Sequence, residues 1–207
     1  PNFSIKAMIG TAIANYFYPI ITGQLTLGFD ELVVDSSNVR GLAHKYAKDK
    51  FSDIDSLFDF IEDAYRLESS KMLQMKPSWI DDGRLAADDF DSEALDHIRM
   101  QYAEGQLVSL RLPVTLTKKN GSTTDTQFAV FLKKPSGLSK GLDLYVRGGL
   151  TLPGEEKFRE RKALGAMIAD EEEICSFLGY AENAAHTKWI GSAEKLKQHY
   201  RNPNKQI

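Results

Sequence analysis

An α+β fold is what this sequence predicts, and three observations lead there. In the first part of the chain, apolar residues recur at helical spacing, as in Ile5, Met8, Ile9, Ala12, Ile13, Tyr16, Phe17 and Ile20. After Gly105 the period changes to two. Val108, Leu110, Leu112, Val114 and Leu116 alternate with mostly polar neighbours, and Phe128, Val130 and Leu132 repeat the pattern. Between these runs stands Asn120-Gly121, a pair that tolerates the left-handed backbone of a tight hairpin turn. The expected architecture is an antiparallel sheet near residues 106–168 with helices packed on one face, plus a helix-rich N-terminal lobe. The expected boundaries are a lobe over 1–76, an acidic linker over 77–91 and a sheet-plus-helix module over 92–207. The alternative is that lobe and module pack as one domain.

The elements follow in order. Ser4 suits an N-cap and Pro19 a stop, so the first helix is expected over 4–18. Its apolar stripe must be buried, either as core or as a contact between subunits. Gln24–Gly28 and Glu31–Asp35 read as two short strands joined through Gly28-Phe29-Asp30. Ser36 or Ser37 then opens a helix with Val39, Leu42, Ala43, Tyr46 and Ala47 inward. Ser52-Asp53-Ile54-Asp55 has the form of a capping box, followed by a helix with Ile54, Leu57, Phe58, Ile61 and Tyr65 on one side. Lys76–Phe90 is polar, with Pro77, Gly83 and paired aspartates, and reads as a linker. Ser92 starts a helix with Leu95, Ile98 and Tyr102 inward, closed by Gly105.

Three antiparallel strands come next, the third marked by Leu142, Leu144 and Val146. Leu164, Ala166 and Ile168 mark a fourth. Ile174, Phe177 and Leu178 form the apolar face of a helix beginning at Asp170. Ser192 precedes a last helix with Leu196 and Tyr200 inward.

Composition narrows the classes. Hydrophobic residues are 42% of the chain and charged residues 27%, enough apolar surface for a packed core. The net charge of −3 argues against a dedicated nucleic-acid binder, leaving only a local basic patch for that role. One cysteine, Cys175, excludes an internal disulfide framework and fits a reducing, cytoplasmic setting. No apolar run is long enough for a transmembrane helix, so no membrane partner is expected. Pro1 in place of an initiator methionine suggests a segment of a longer protein.

The chemistry-bearing residues gather in Asp143–Trp189. Arg147-Gly148-Gly149 ends a strand, and its glycines either make a structural turn or let backbone N–H groups approach an anion. The nucleotide-loop patterns G-x-G-x-x-G and G-x-x-x-x-G-K-[ST] are both missing. Four carboxylates, Asp170–Glu173, suit a helix N-terminus but would repel a phosphate there.

Residues 133–162 carry Lys133, Lys134, Lys140, Arg147, Lys157, Arg159, Arg161 and Lys162 against four acids. This modest excess is either a solvated face or a surface for nucleic acid. Glu182, Asn183, His186 and Thr187 form a polar corner, read as loop-fixing hydrogen bonds or as an acid–base pair. The four histidines, at 44, 97, 186 and 199, lack zinc spacing, so no metal is expected. Asp81, Asp82, Asp88, Asp89 and Asp91 read as a solvated acidic linker and Cys175 as a small buried hydrophobe.

Three stretches, Tyr16–Leu25, Leu144–Pro153 and Ala181–Trp189, resemble regions of large bacterial proteins that carry an upstream ATPase domain of the gyrase, heat-shock chaperone, histidine kinase and mismatch-repair (GHKL) type. The ATPase motifs themselves are absent: no N-box asparagine with paired acids, no D-x-G-x-G and no G-x-x-G lid. The resemblance therefore implies the region after the ATPase, where a sheet-and-helix transducer module is found. It implies no cofactor for this chain, and ATP only where an ATPase domain precedes it. In that superfamily a basic loop residue reaches the terminal phosphate; Arg147, Lys157 and Lys162 match that residue by location alone.

Three functions are carried forward. The first is a non-catalytic transducer or interaction module whose partner is the upstream domain or another protein, a second copy included. The second is a nucleic-acid-binding accessory domain using the 133–162 face. The third is a stand-alone enzyme acting through Glu182 and His186.

Overall fold

The structure is a computed structural model describing residues 4–51, 53–76, 85–135, 137, 141–152, 158 and 161–202. Helix α1 spans Ile5–Ile21, three residues beyond the expected stop. Pro19 lies inside it because the strain is taken up earlier: Tyr16 leaves helical geometry (φ −125°, ψ 15°) and kinks the axis. The helix ends with the Thr22 N–H and hydroxyl both bonded to the Tyr18 carbonyl.

Strands β1 (Leu27–Phe29) and β2 (Leu32–Val34) make a hairpin whose turn holds Asp30 at φ 51°. Helix α2 (Val39–Tyr46) follows. Its N-cap is Asn38 rather than either serine, and the Asp35 carboxylate accepts from the Ser37 N–H and hydroxyl. Helix α3 (Ile54–Arg66) is capped by Asp53, which accepts from the Ser56 N–H at 3.0 Å. Tyr65, expected inward, is half exposed on its outer side.

A 3₁₀ turn, Ser69–Lys71, leads into strand β3 (Leu73–Gln74), which the sequence reading missed. Residues 77–84 of the expected linker lie outside the described residues; Ala87–Asp89 form a second 3₁₀ turn. Helix α4 (Ser92–Ala103) buries no residue fully; Ile98 and Tyr102 are the positions it packs inward.

The main sheet contains β3, β4 (Val108–Thr117), β5 (Thr123–Lys133), β6 (Leu142–Arg147), β7 (Leu150–Thr151) and β8 (Leu164–Ala169). The β4–β5 hairpin turns through Asn120-Gly121, as expected, with Gly121 at φ 91°. The third strand departs from expectation. Strand order is β3-β4-β5-β8-β6-β7, so β8 inserts between β5 and β6. It pairs antiparallel to β5 and parallel to β6, and β3 runs parallel to β4. The sheet is thus mixed, because the connection from β6 to β8 returns to the starting end before entering the gap. Helix α5 (Glu172–Ala181) begins two residues later than expected, and α6 (Glu194–His199) closes the described elements.

Helices lie on both faces of this sheet, a correction to the single helical layer expected. One face presents Phe131, Leu144, Val146, Leu164, Ala166 and Ile168, which share a core with α1, α2 and α3. In it the rings of Phe17, Phe51 and Phe58 meet at 5.5–6.2 Å. Gly10 lets α1 approach α2 closely, since a Cβ there would overlap the Tyr46 carbonyl. The other face divides between two helical groups. Val108, Leu110 and Leu112 pack with Met75, Ile98 and Tyr102, whereas Val114 and Leu116 pack with Ile174, Phe177, Leu178, Leu196 and Tyr200. Every second residue of β4 is apolar and buried for this reason.

Candidate functional site

The carboxyl ends of the parallel pair β6 and β8 bring the polar residues together. Strand β6 ends at Arg147, opposite Ala169. Gly148 and Gly149 then turn at φ 53° and 80° into β7, a two-residue hairpin loop whose positive dihedrals require glycine or a tolerant residue. The Gly148 N–H donates to the Ala169 carbonyl at 2.8 Å. At Gly149 a Cβ would overlap the Gln24 side chain, so this turn also meets the segment leaving α1.

Arg147 points along the sheet towards α5. Its Nε and Nη2 donate to the two carboxylate oxygens of Glu182, the second at 3.0 Å. The Glu182 side chain is 2% exposed and that of Arg147 19%. His186 Nδ1 closes on Glu182 Oε2 at 2.7 Å, while the imidazole remains open to solvent. Burial pushes the Glu182 carboxyl up, but Arg147 and His186 together hold it below the usual carboxylate range. His186 itself sits at φ 53°.

The loop carrying this histidine is built from its own hydrogen bonds. The Asn183 side chain donates to Thr187 Oγ1 at 3.0 Å and accepts from the Thr187 N–H at 2.9 Å. The Asn183 N–H reaches the Lys188 carbonyl, and Glu182 bridges to Trp189. The Trp189 ring meets Tyr145 edge-on at 5.8 Å. Asn183 and Thr187 therefore fix the loop, whereas Glu182 and His186 join it to β6.

A second carboxylate secures the start of α5. Glu171 accepts from the Thr126 hydroxyl (2.8 Å), the Gln127 N–H (3.1 Å) and the Gln127 side-chain amide (2.6 Å). Glu173 pairs with Lys118 at 3.2 Å. Half of the acidic run at 170–173 is thus spent on the sheet.

Beyond Arg147 lies an open cleft of about 410 Å³ lined by Glu172, Cys175, Ser176, Gly179, Tyr180 and Lys195 as well as the arginine. Burial pushes the Cys175 thiol up, against weaker downward pulls from the Gly148 N–H and Arg147; Asp170 and Glu171 add to the rise. The thiol donates to the Ala169 carbonyl at 3.2 Å, and Cys175 is half-buried at the cleft rather than fully buried as expected.

Among the residues singled out in the sequence, Arg147, Glu182 and His186 are brought into one network, with Gly148 and Gly149 adjoining. Lys162 is exposed, and Lys157 lies outside the described residues. Lys133, on β5 beside Leu164, and Arg147, on β6 beside Ala169, are offset by five residue steps, about 16 Å along the strand direction. Lys133 pairs with Asp63 at 2.7 Å, and Lys134 reaches the Ala103 carbonyl. The described part of the 133–162 charge excess is therefore not one patch.

Sequence reasoning missed Gly179 and Lys195. Only the fold brings them into one cleft with Arg147, and no local spacing signals it. Among the described residues no group of three or more His, Cys, Asp or Glu side chains is placed to hold a metal ion. None of the helices described is long and apolar enough to cross a membrane. Comparison with protein-family models, curated proteins and solved structures finds no match to this chain.

Proposed function

We propose that this chain is a non-catalytic coupling module of a larger cytoplasmic protein, working against an upstream domain or a protein partner. The observation that carries the reading is the Arg147–Glu182–His186 network. Of its two acid–base candidates, Glu182 is held by Arg147 through both carboxylate oxygens, and His186 is bonded to that same carboxylate. A general base held in this way is a poor proton acceptor, because a buried bidentate arginine favours the ionised form. As a mechanical element the same network is well suited. It ties the end of β6, and the turn that meets Gln24 after α1, to the exposed loop after α5. Displacement at one end is passed to the other through charge-assisted hydrogen bonds rather than through mobile side chains.

The sequence resemblance to regions that follow GHKL-type ATPase domains supports the same role and supplies the upstream partner. The test is nucleotide hydrolysis. The chain alone is expected to show none, and joining it to an upstream ATPase domain is expected to change that domain's turnover. The change should shrink when Glu182 is replaced by Gln. Robust hydrolysis by the chain alone, abolished by His186→Ala with the fold intact, would overturn the reading in favour of an enzyme.

A further inference from the structure

The Arg147 guanidinium has five N–H donors, and Glu182 takes only the side formed by Nε and Nη2. Nη1 is turned the other way. It lies over Gly179 of α5, where a Cβ would sit 3.6 Å from it. That end of the side chain lines the cleft described above. Lys195, at the start of α6, lines the same cleft and has no ion pair among the described residues. Ser176 adds a hydroxyl, and Tyr180, stacked on His199 at 4.1 Å, forms a firm wall.

We propose that this cleft binds a carboxylate group, held end-on by Arg147 and capped by Lys195, with Ser176 as a further donor. The volume of about 410 Å³ falls within the range of small-ligand sites, roughly 300–1,000 Å³. One feature favours a singly charged carboxylate over a phosphate. Glu172 lines the same cleft, so a second negative charge is repelled. Arg147 is also already oriented by a buried carboxylate, so its planar fork is fixed before any ligand arrives and less freedom is lost on binding. The site does not depend on the coupling role; it holds for a small organic acid and for the terminal carboxylate of a peptide alike.

The experiment is an amide chemical-shift titration of the whole chain with sodium acetate, inorganic phosphate, and one short peptide in free-acid and amidated forms. Saturable shifts at Ser176, Gly179 and Tyr180 with acetate and with the free-acid peptide are expected, and none with the amidated peptide. A peptide carboxylate is the source if the free acid binds more tightly than acetate, and a small acid is the source if the two are equal. Lys195→Gln is expected to weaken binding about three- to tenfold, as loss of one charged contact does. Arg147→Lys should abolish binding while its fold is followed by circular dichroism; if that variant fails to fold, Lys195→Gln carries the test. The proposal is overturned by unsaturable shifts, by unchanged affinity in Lys195→Gln, or by phosphate binding more tightly than acetate.

Discussion

The two sides of the sheet are held by different forces. On the α1–α3 side, Ile9, Ile13, Phe17, Ile20, Phe58 and Phe60 are buried against Leu144, Val146 and Ala166, and aromatic rings interlock at the centre. On the α5–α6 side an apolar patch of Phe177, Leu178 and Leu196 is rimmed by polar ties: Glu171 to Thr126 and Gln127, Glu173 to Lys118, and Arg147 to Glu182 to His186. Shape holds the centre of the first side, and its ion pairs, Arg40 to Asp59 and Glu62 and Lys133 to Asp63, stand at the rim. Charge and hydrogen bonding hold the second, and donors remain there after the structure is satisfied, Arg147 Nη1 among them. A site is expected on the side with unspent polar capacity.

The contrast can be broken most directly at the aromatic centre. Phe58→Ala is expected to cost about 3–5 kcal/mol in urea unfolding, the loss typical of a fully buried ring. A loss no larger than that of a surface change would deny the shape-held side its role.

Next in size is Glu182→Gln, which leaves the Arg147 charge without its partner; a loss of roughly 3 kcal/mol is expected, as for a buried pair broken on one side. The same carboxylate sets a pH dependence. Its native value is lowered relative to the unfolded chain, so its contribution is present above the ordinary value of 4.5 and is lost as pH falls through the lowered native value. Acid unfolding followed by fluorescence should begin at higher pH once Glu182 is removed.

At the alkaline end the largest contribution comes from the α1–α3 side. Burial first, then Asp170 and Tyr65, push the Tyr18 hydroxyl up to about 12. A raised native value means stability fully present below pH 10 and lost as pH rises towards 12. Burial also raises the Tyr200 hydroxyl, so absorbance titration should show late tyrosine ionisation, and Tyr18→Phe should remove the part nearest pH 12. Smallest of all is His186→Ala. With its ring largely solvent-exposed, the expected loss is under about 1 kcal/mol, while the 183–189 loop amides should exchange faster.

What the sequence made legible was local. Alternation and Asn120-Gly121 were enough for the β4–β5 hairpin, and the helical stripe of α1 was legible in part: Ile9, Ile13, Phe17 and Ile20 are buried as expected, whereas Ile5, Met8 and Tyr16 are exposed. Pro19 misled because a proline ends a helix only when no earlier residue absorbs its strain, and Tyr16 does so here. The insertion of β8 between β5 and β6 was hidden, since an apolar strand carries no mark of which neighbour it will choose. Arg147 and Glu182 were each noticed, yet their pairing was not. They lie 35 positions apart and meet only because β6 and α5 end at the same edge of the fold. Gly179 carried no signal in the sequence, and its place beneath the Arg147 guanidinium shows only in the fold.

The late arrival of β8 bears on how the chain is made. During synthesis the β4–β5 hairpin can close early, but the outer edge of β5 over Ala129–Lys133 has no partner until Leu164–Ala169 emerges. Strand β6 waits for the same segment from its other side. For that interval two apolar edges are open to pairing with other nascent chains, the usual route to aggregation. A chain ended before Leu164 should therefore sediment where the full chain remains in solution. If it stays soluble and monomeric, the two edges are shielded by some other segment before β8 appears.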